Sequence, residues 1–98
     1  MITHRYTFLR PADWQSVEAS LLLSIWAVEA LHGEDQYLLD ARYRTDERRL
    51  TIDVDATTQV GVDLNRILLG YFRKEFPHGE MEVCHVNEPV SLSSGKGN

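Results

Sequence analysis

The sequence predicts an α+β protein that forms a single domain. Residues 36–44 and 49–56 alternate apolar and polar side chains, which is typical of the two strands of a β-hairpin. Residues 14–32 and 60–76 instead repeat apolar side chains at three- and four-residue steps, which is typical of amphipathic helices. A chain of 98 residues is long enough to bury a hydrophobic core without disulfide bonds.

The hairpin pattern also predicts a register. A four-residue turn at 45–48 places all the apolar side chains of both strands on one face, and a slip by one residue would divide them between the two faces. The pairs in this register are Tyr43 with Leu50, Ala41 with Ile52, Leu39 with Val54, and Tyr37 with Ala56.

A first strand is predicted over residues 4–10, with Tyr6 and Phe8 facing inward and Pro11 ending it. The first helix follows between a capping Asp13 and Gly33, and His32 is expected at the surface of its last turn. The side chains predicted to form its core stripe are Trp14, Val17, Leu21, Ile25 and Val28.

The first helix carries more apolar surface than one stripe requires. At about 100° per residue, a second group of apolar side chains gathers on another arc of the helix, consisting of Ala19, Leu22, Leu23, Trp26 and Ala30. This arc must pack on another helix of the same chain, on another chain or on a ligand. Packing on Leu69 and Phe72 of the second helix is the alternative within one chain.

The second helix is predicted over residues 60–76, capped by Thr57 or Thr58, with Gly61 as an alternative start. Its core stripe is Val60, Leu64, Ile67, Leu68 and Tyr71, and its apolar surface extends sideways through Leu69, Phe72 and Phe76. The pattern assigns no role to Gly70. Pro77 ends the helix, residues 80–86 form the last strand, and residues 89–98 form a polar tail that is expected to be disordered.

The resulting order, β-α-β-β-α-β over residues 1–88, resembles the split βαβ pattern of ferredoxin-like domains. The resemblance implies a four-stranded antiparallel sheet that carries two helices on one face, with the first hairpin strand and the last strand at its edges. It rests on element order alone, and this architecture supports many unrelated functions.

Composition and charge argue against several classes of partner. The net charge of −5 argues against nucleic acid, and the expected outward positions on the central strands carry no aromatic side chain for stacking bases. No segment is apolar over enough residues to span a bilayer. The single Cys84 and the absence of a signal-like N-terminus favour a cytoplasmic protein.

A charged sheet face is one candidate site. The predicted register places Asp40 opposite Asp53, with Asp55 near them and with Arg5 and Arg42 close enough to offset the like charges. Such a carboxylate pair could hold a cation or act as acid and base, but a solvated charged face with Arg–Asp pairs is the favoured interpretation, because these carboxylates are expected on rigid strands and not in a pocket lined by loops. No spacing of Cys and His indicates a metal site, and no motif indicates a cofactor.

The favoured function is therefore a non-catalytic interaction module, more consistent with binding than with enzymatic activity. It would form a homodimer or dock on another protein through its helical layer, because large apolar surfaces must be covered. The residues predicted at this interface are Leu22, Leu23, Trp26, Ala30, Leu69, Phe72 and Phe76. The alternative is a domain or enzyme that binds a small ligand, an anion or a metal through the charged sheet face.

Overall fold

A computed structural model describes residues 2–9, 14–76, 79–87 and 90. Its elements, in chain order, are β1 (Thr3–Phe8), α1 (Trp14–His32), α2 (Glu34–Asp40), β2 (Tyr43–Asp46), β3 (Thr51–Asp55), α3 (Gln59–Glu75) and β4 (Met81–Val86). The predicted α+β class is confirmed, with three helices in the described residues where the sequence predicted two.

The four strands form one open sheet in the order β2-β3-β1-β4, and all neighbouring strands are antiparallel. The hairpin strand β2 and the last strand β4 therefore lie at the two edges, as predicted. Strand β1 lies between β3 and β4, so Arg5 is opposite both Asp53 and Cys84.

The hydrophobic core is one cluster of buried side chains that includes residues of the central strands and of the two long helices. Tyr6 and Phe8 alternate along β1, and Ile52 and Val54 alternate along β3, so all four reach the same side of the sheet. They pack against the core side chains of the helices, which include Val17, Leu21 and Val28 of α1 and Val60, Leu64, Leu68 and Phe72 of α3. The ring of Tyr6 meets that of Phe72 edge to face, with a centroid distance of 5.5 Å.

The first predicted hairpin strand is wrong over residues 36–40, which belong to helix α2. Tyr37 and Ala41 are both buried, and a separation of four residues fits a helical turn as well as it fits an alternating strand. Leu39 distinguishes the two, because a strand would bury it whereas its side chain is 64% exposed. Glu34 and Asp35 in the first turn also favour the helix, since acidic side chains suit the N-terminal end of the helix dipole.

The predicted hairpin register is also wrong. Tyr43 pairs with Val54 and Arg44 pairs with Asp53, which is a displacement of four residues along β3. An even displacement keeps each side chain on its predicted face, so the alternation could not reveal the error. The turn lies at 47–50, two residues later than predicted, and Leu50 adopts a positive φ of 56° in it instead of extending the strand.

The extents of the two long helices were predicted to within one residue, but Tyr71 is exposed and does not belong to the core stripe of α3. Thr58 is the N-cap of α3, since its hydroxyl accepts a 3.1 Å hydrogen bond from Gly61 N. Gly33 separates α1 from α2 with a φ of 87°, which favours glycine. The predicted roles of Pro11, Asp13 and Pro77 lie outside the described residues, as does the tail except for Val90, which is buried.

Strand β4 has one paired and one unpaired edge among the described residues. Leu9 N donates to Glu80 O, so alternation along an antiparallel pair turns the backbone groups of Glu82 and Cys84 toward β1. The backbone groups of Met81, Val83 and His85 therefore point away from the sheet.

Candidate interaction surface

Helix α1 presents an apolar face to solvent. Its buried residues are Trp14, Val17, Ser20, Leu21, Ser24 and Val28, and the arc directly opposite them consists of Ala19, Leu22, Leu23, Trp26 and Ala30. All five residues of this arc are exposed, with 57% of Trp26, 45% of Leu22 and 46% of Leu23 accessible. We refer to these five residues as the outer face of α1. In the part of the chain that the structure describes, packing on Leu69 and Phe72, the alternative within one chain, leaves these five residues exposed.

Two polar contacts fix how α1 lies against α3. The hydroxyl of Ser20 donates to the carboxylate of Glu75, and His32 Nε2 lies 2.7 Å from Asp63 Oδ2. The first residue of each pair advances along α1 while the second moves back along α3, so the two helices run antiparallel. Sequence analysis predicted a surface position for His32 but not its contact with Asp63, which depends on the register of the two helices.

The exposed side of α3 is basic. Arg66, Arg73 and Lys74 are all exposed, on the side opposite the buried residues Val60, Leu64 and Leu68. The outer face of α1 is instead flanked by acidic side chains, Glu18 and Glu29. The helical layer thus places apolar and acidic groups on one helix and basic groups on the next.

Gly70 lies on this exposed side of α3 and leaves a depression there. A Cβ atom built on Gly70 would meet no atom within 4 Å, so no contact within the chain requires a glycine. The depression has a volume of about 230 Å³ and is lined by Ile67, Gly70, Tyr71 and Lys74. A glycine inside a helix lowers its stability by about 1 kcal/mol relative to alanine, and no close contact with the described residues offsets that cost at Gly70.

The remaining predicted interface residues do not belong to the outer face of α1. Leu69 and Phe76 are partly buried and line a different groove of about 480 Å³, between α3 and β4, together with Met81 and Val83. Phe72 has an exposed fraction of 0% and is part of the core, so its predicted place at an interface is wrong. Leu22, Leu23, Trp26 and Ala30 are the predicted residues that the structure brings together at the surface.

The charged sheet face is organised around Asp53, which is 2% exposed rather than solvated. Arg5 donates from Nε to Asp53 Oδ1 at 2.8 Å and from Nη2 to Oδ2 at 2.9 Å, and Arg44 Nη2 donates to Oδ2 at 2.7 Å. Burial alone would raise the pKa of Asp53, but the hydrogen bonds and charges of the two arginines outweigh it and hold the pKa below its usual value of 3.8. The carboxylate is therefore ionised at neutral pH, and both of its oxygens accept hydrogen bonds from arginine.

The other residues of the predicted ligand face are dispersed. Asp40 ends helix α2 and accepts a hydrogen bond from Gln36, so it does not lie opposite Asp53 as predicted. Asp55 Oδ1 accepts a hydrogen bond from Thr57 N, while Arg42 accepts one through its backbone from Asp55 N. Arg44, which the displaced register hid, takes the position assigned to Asp40.

The titratable side chains of the described residues include no group of three or more that could hold a metal ion. His4 and His85 pack edge to face with a centroid distance of 4.4 Å. Partial burial lowers the pKa of His4, and the charge of His85 lowers it further. Cys84 is exposed and free.

Within the described part of the chain, no helix has both the length and the apolar character that crossing a membrane requires. When the chain was compared with models of protein families, with curated proteins and with solved structures, no match was found.

Proposed function

We propose that this protein is a non-catalytic interaction module that associates with a second copy of itself through its helical layer. The observation that carries the proposal is the outer face of α1, where Leu22, Leu23 and Trp26 stand exposed beside two alanines. A helix that carries apolar side chains on two opposite faces ordinarily buries both of them. A second chain is the simplest cover for the half that this chain leaves open.

The character of the exposed side chains supports an interface. Tryptophan and other large apolar residues dominate the binding energy of protein–protein contacts, and contiguous apolar patches of more than a few hundred Å² are rare on monomers. Trp26 alone exposes on the order of 100 Å², since a buried aromatic side chain covers about 150–250 Å². Closed two-fold dimers are the commonest assemblies of a single chain.

The charged sheet face supports the non-catalytic part of the proposal, because the arginines already occupy acceptor positions of its central carboxylate. A catalytic or metal-binding carboxylate needs free acceptor positions, whereas the oxygens of Asp53 accept three hydrogen bonds from Arg5 and Arg44. We therefore interpret this face as a structural ion-pair network.

We also propose that the architecture is the ferredoxin-like sandwich, with α2 as an addition before the hairpin. The strand order β2-β3-β1-β4 and the antiparallel pairing of every neighbour support this assignment. In such a sandwich the helices share one side of the sheet, which leaves the outer face of α1 directed away from the molecule.

The substitution Leu23→Glu tests the proposed function. Because Leu23 is 46% exposed in the single chain, the carboxylate stays solvated there and should change the free energy of unfolding by about 1 kcal/mol or less. In a dimer the same carboxylate is buried without a partner, so the variant should be monomeric. Light scattering measures the mass, and circular dichroism confirms the fold.

Leu38→Glu is the matched control, since Leu38 is an exposed leucine on α2 and does not belong to the outer face of α1. It should leave the dimer intact. A wild-type protein that stays monomeric at high micromolar concentration would refute self-association. An unfolded Leu23→Glu variant would show that the outer face of α1 is covered within the chain.

A further inference from the structure

We infer that two copies pack with the outer face of α1 in one chain against the exposed side of α3 in the other, so that each Trp26 fills the depression above the partner's Gly70. This inference rests on the proposed self-association and adds its geometry. It also gives Gly70 a role that no contact within one chain explains.

The register of the two helices brings Trp26 and Gly70 to the same level. Ser20 contacts Glu75, and His32 contacts Asp63. The two contacts are twelve residues apart on each helix, so each residue of α1 lies at the same height along the helix axis as one residue of α3. Gly70 is level with Ile25, one residue from Trp26. One residue corresponds to a rise of about 1.5 Å along a helix.

A single symmetry operation then forms both contacts. A two-fold axis that runs parallel to the helices, between the stacked layers, places α1 of one chain over α3 of the other without changing the level of any residue. Trp26 meets the partner's Gly70, and by the same rotation Gly70 meets the partner's Trp26. The interface is therefore isologous and closed.

The shape of the depression suits an aromatic side chain. Apolar cavities of about 150 Å³ accept benzene, and the depression of about 230 Å³ offers an aromatic wall in Tyr71 and an aliphatic wall in Ile67. Lys74 lies at the same rim, where its ammonium group can approach the face of an indole ring. A large aromatic side chain in such a pocket is the usual form of an interface hot spot.

Charge complementarity selects a second copy as the occupant. Glu18 and Glu29 flank the outer face of α1, while Lys74 lines the depression at Gly70 and Arg66 lies one turn before it on α3. Arg73 lines the groove between α3 and β4 instead. Among the described residues none of these five forms a salt bridge, and Arg66 contributes to the lowered pKa of the nearby Asp63 carboxyl. Glu29 is level with Arg66 by the same register. In each of the two symmetric contacts, acidic groups of α1 therefore face basic groups of the partner's α3. This favours the pairing of α1 with α3 over a dimer in which the two copies of α1 pack against each other.

Gly70→Leu is the decisive variant, because it fills the depression without removing any existing side chain. We expect its dissociation constant, measured by sedimentation equilibrium, to rise by about tenfold or more over that of the wild type. The monomeric Leu23→Glu background supplies the control for folding. There Gly70→Leu should raise the melting temperature or leave it unchanged, since leucine favours a helix more than glycine does and the space is open.

A charge exchange tests the register independently. Glu29→Arg and Arg66→Glu should each weaken association several-fold, and the double variant should recover most of the loss because it restores opposite charges. Glu47→Arg, at an exposed position in the hairpin turn, is the control and should have little effect.

The outcomes separate this inference from the proposed function. If Leu23→Glu is monomeric but Gly70→Leu associates as tightly as the wild type, the chain dimerises in another geometry and the inference is wrong. Failure of the double charge exchange to recover affinity would overturn the assigned register. A monomeric wild type would remove both the function and its geometry.

Discussion

Asp53 lies directly opposite Arg44 across the β2–β3 hairpin, and Arg44 Nη2 donates a 2.7 Å hydrogen bond to Asp53 Oδ2. Arg5 binds the same carboxylate from β1, so one buried acid joins three neighbouring strands of the sheet. The row Arg44–Asp53–Arg5 therefore stabilises the sheet at its centre. It also explains why the sheet tolerates a carboxylate that is 2% exposed.

Asp53→Asn should destabilise the protein by about 2–3 kcal/mol, because it removes the charge that two arginines share and leaves their donors incompletely paired. Urea unfolding of the monomeric Leu23→Glu background measures this effect without a contribution from association. Asp35→Asn, at an exposed position of α2, is the control and should change stability by about 0.5 kcal/mol or less. A comparably small effect of Asp53→Asn would mean that the network contributes little.

The protein should lose stability as the pH falls below 6.5, because His4 then takes up a proton. Its pKa in the folded state is lowered by burial and by His85, so the unfolded chain binds the proton more readily. The stability is fully present above the unfolded value of 6.5 and is lost as pH falls through the lower folded value.

Urea titrations of the monomeric background at pH 7.5, 6.5 and 5.5 measure this loss. His4→Gln should flatten the dependence on pH, and His85→Gln should flatten it partly because the second cause is removed. An unchanged slope in His4→Gln would assign the dependence to other groups.

Two glycines of α3 should respond in opposite ways to the addition of a methyl group. A Cβ built on Gly61 would lie 2.0 Å from the carbonyl oxygen of Asp55, whereas one on Gly70 meets nothing within 4 Å. Gly61→Ala should therefore destabilise the monomeric background by about 3 kcal/mol through overpacking against backbone. Gly70→Ala should stabilise it by up to about 1 kcal/mol, because alanine is the stronger helix former.

Thermal melting of both variants beside their parent measures the difference. Equal effects of the two substitutions would contradict the contrast in their surroundings.

The parts of the fold with one unambiguous period could be predicted from the sequence. Helices α1 and α3 were found because their apolar stripes persist over several turns and end at Gly33 and Pro77. Helix α2 was missed because Tyr37 and Ala41 satisfy both periods in a segment too short to decide between them. The hairpin register was missed because a displacement of four residues keeps every side chain on the same face of the sheet. The turn was also missed, because Leu50 adopts a positive φ there, which sequence patterns seldom assign to leucine.

The same distinction applies to the candidate surface. Angular spacing alone located Leu22, Leu23, Trp26 and Ala30 on one arc of α1, since that arc is a property of a single helix. Phe72 was misplaced because its burial depends on where α3 meets the sheet. The significance of Gly70 and the level of Arg66 depend on the contacts between α1 and α3, which no local pattern contains.

Among the described residues, the outer edge of β4 is unpaired, and an unpaired strand edge can pair with the edge of another chain. In the proposed dimer the helical layer is covered, whereas the outer edge of β4, where Met81, Val83 and His85 offer their backbone groups, stays unpaired among the described residues of each subunit. Pairing of two β4 edges would add a second, differently placed contact, and repeated use of both contacts would produce open-ended filaments instead of a closed particle. Glu82 and His85 are exposed on β4, and charged or polar side chains on an edge strand disfavour such edge-to-edge pairing.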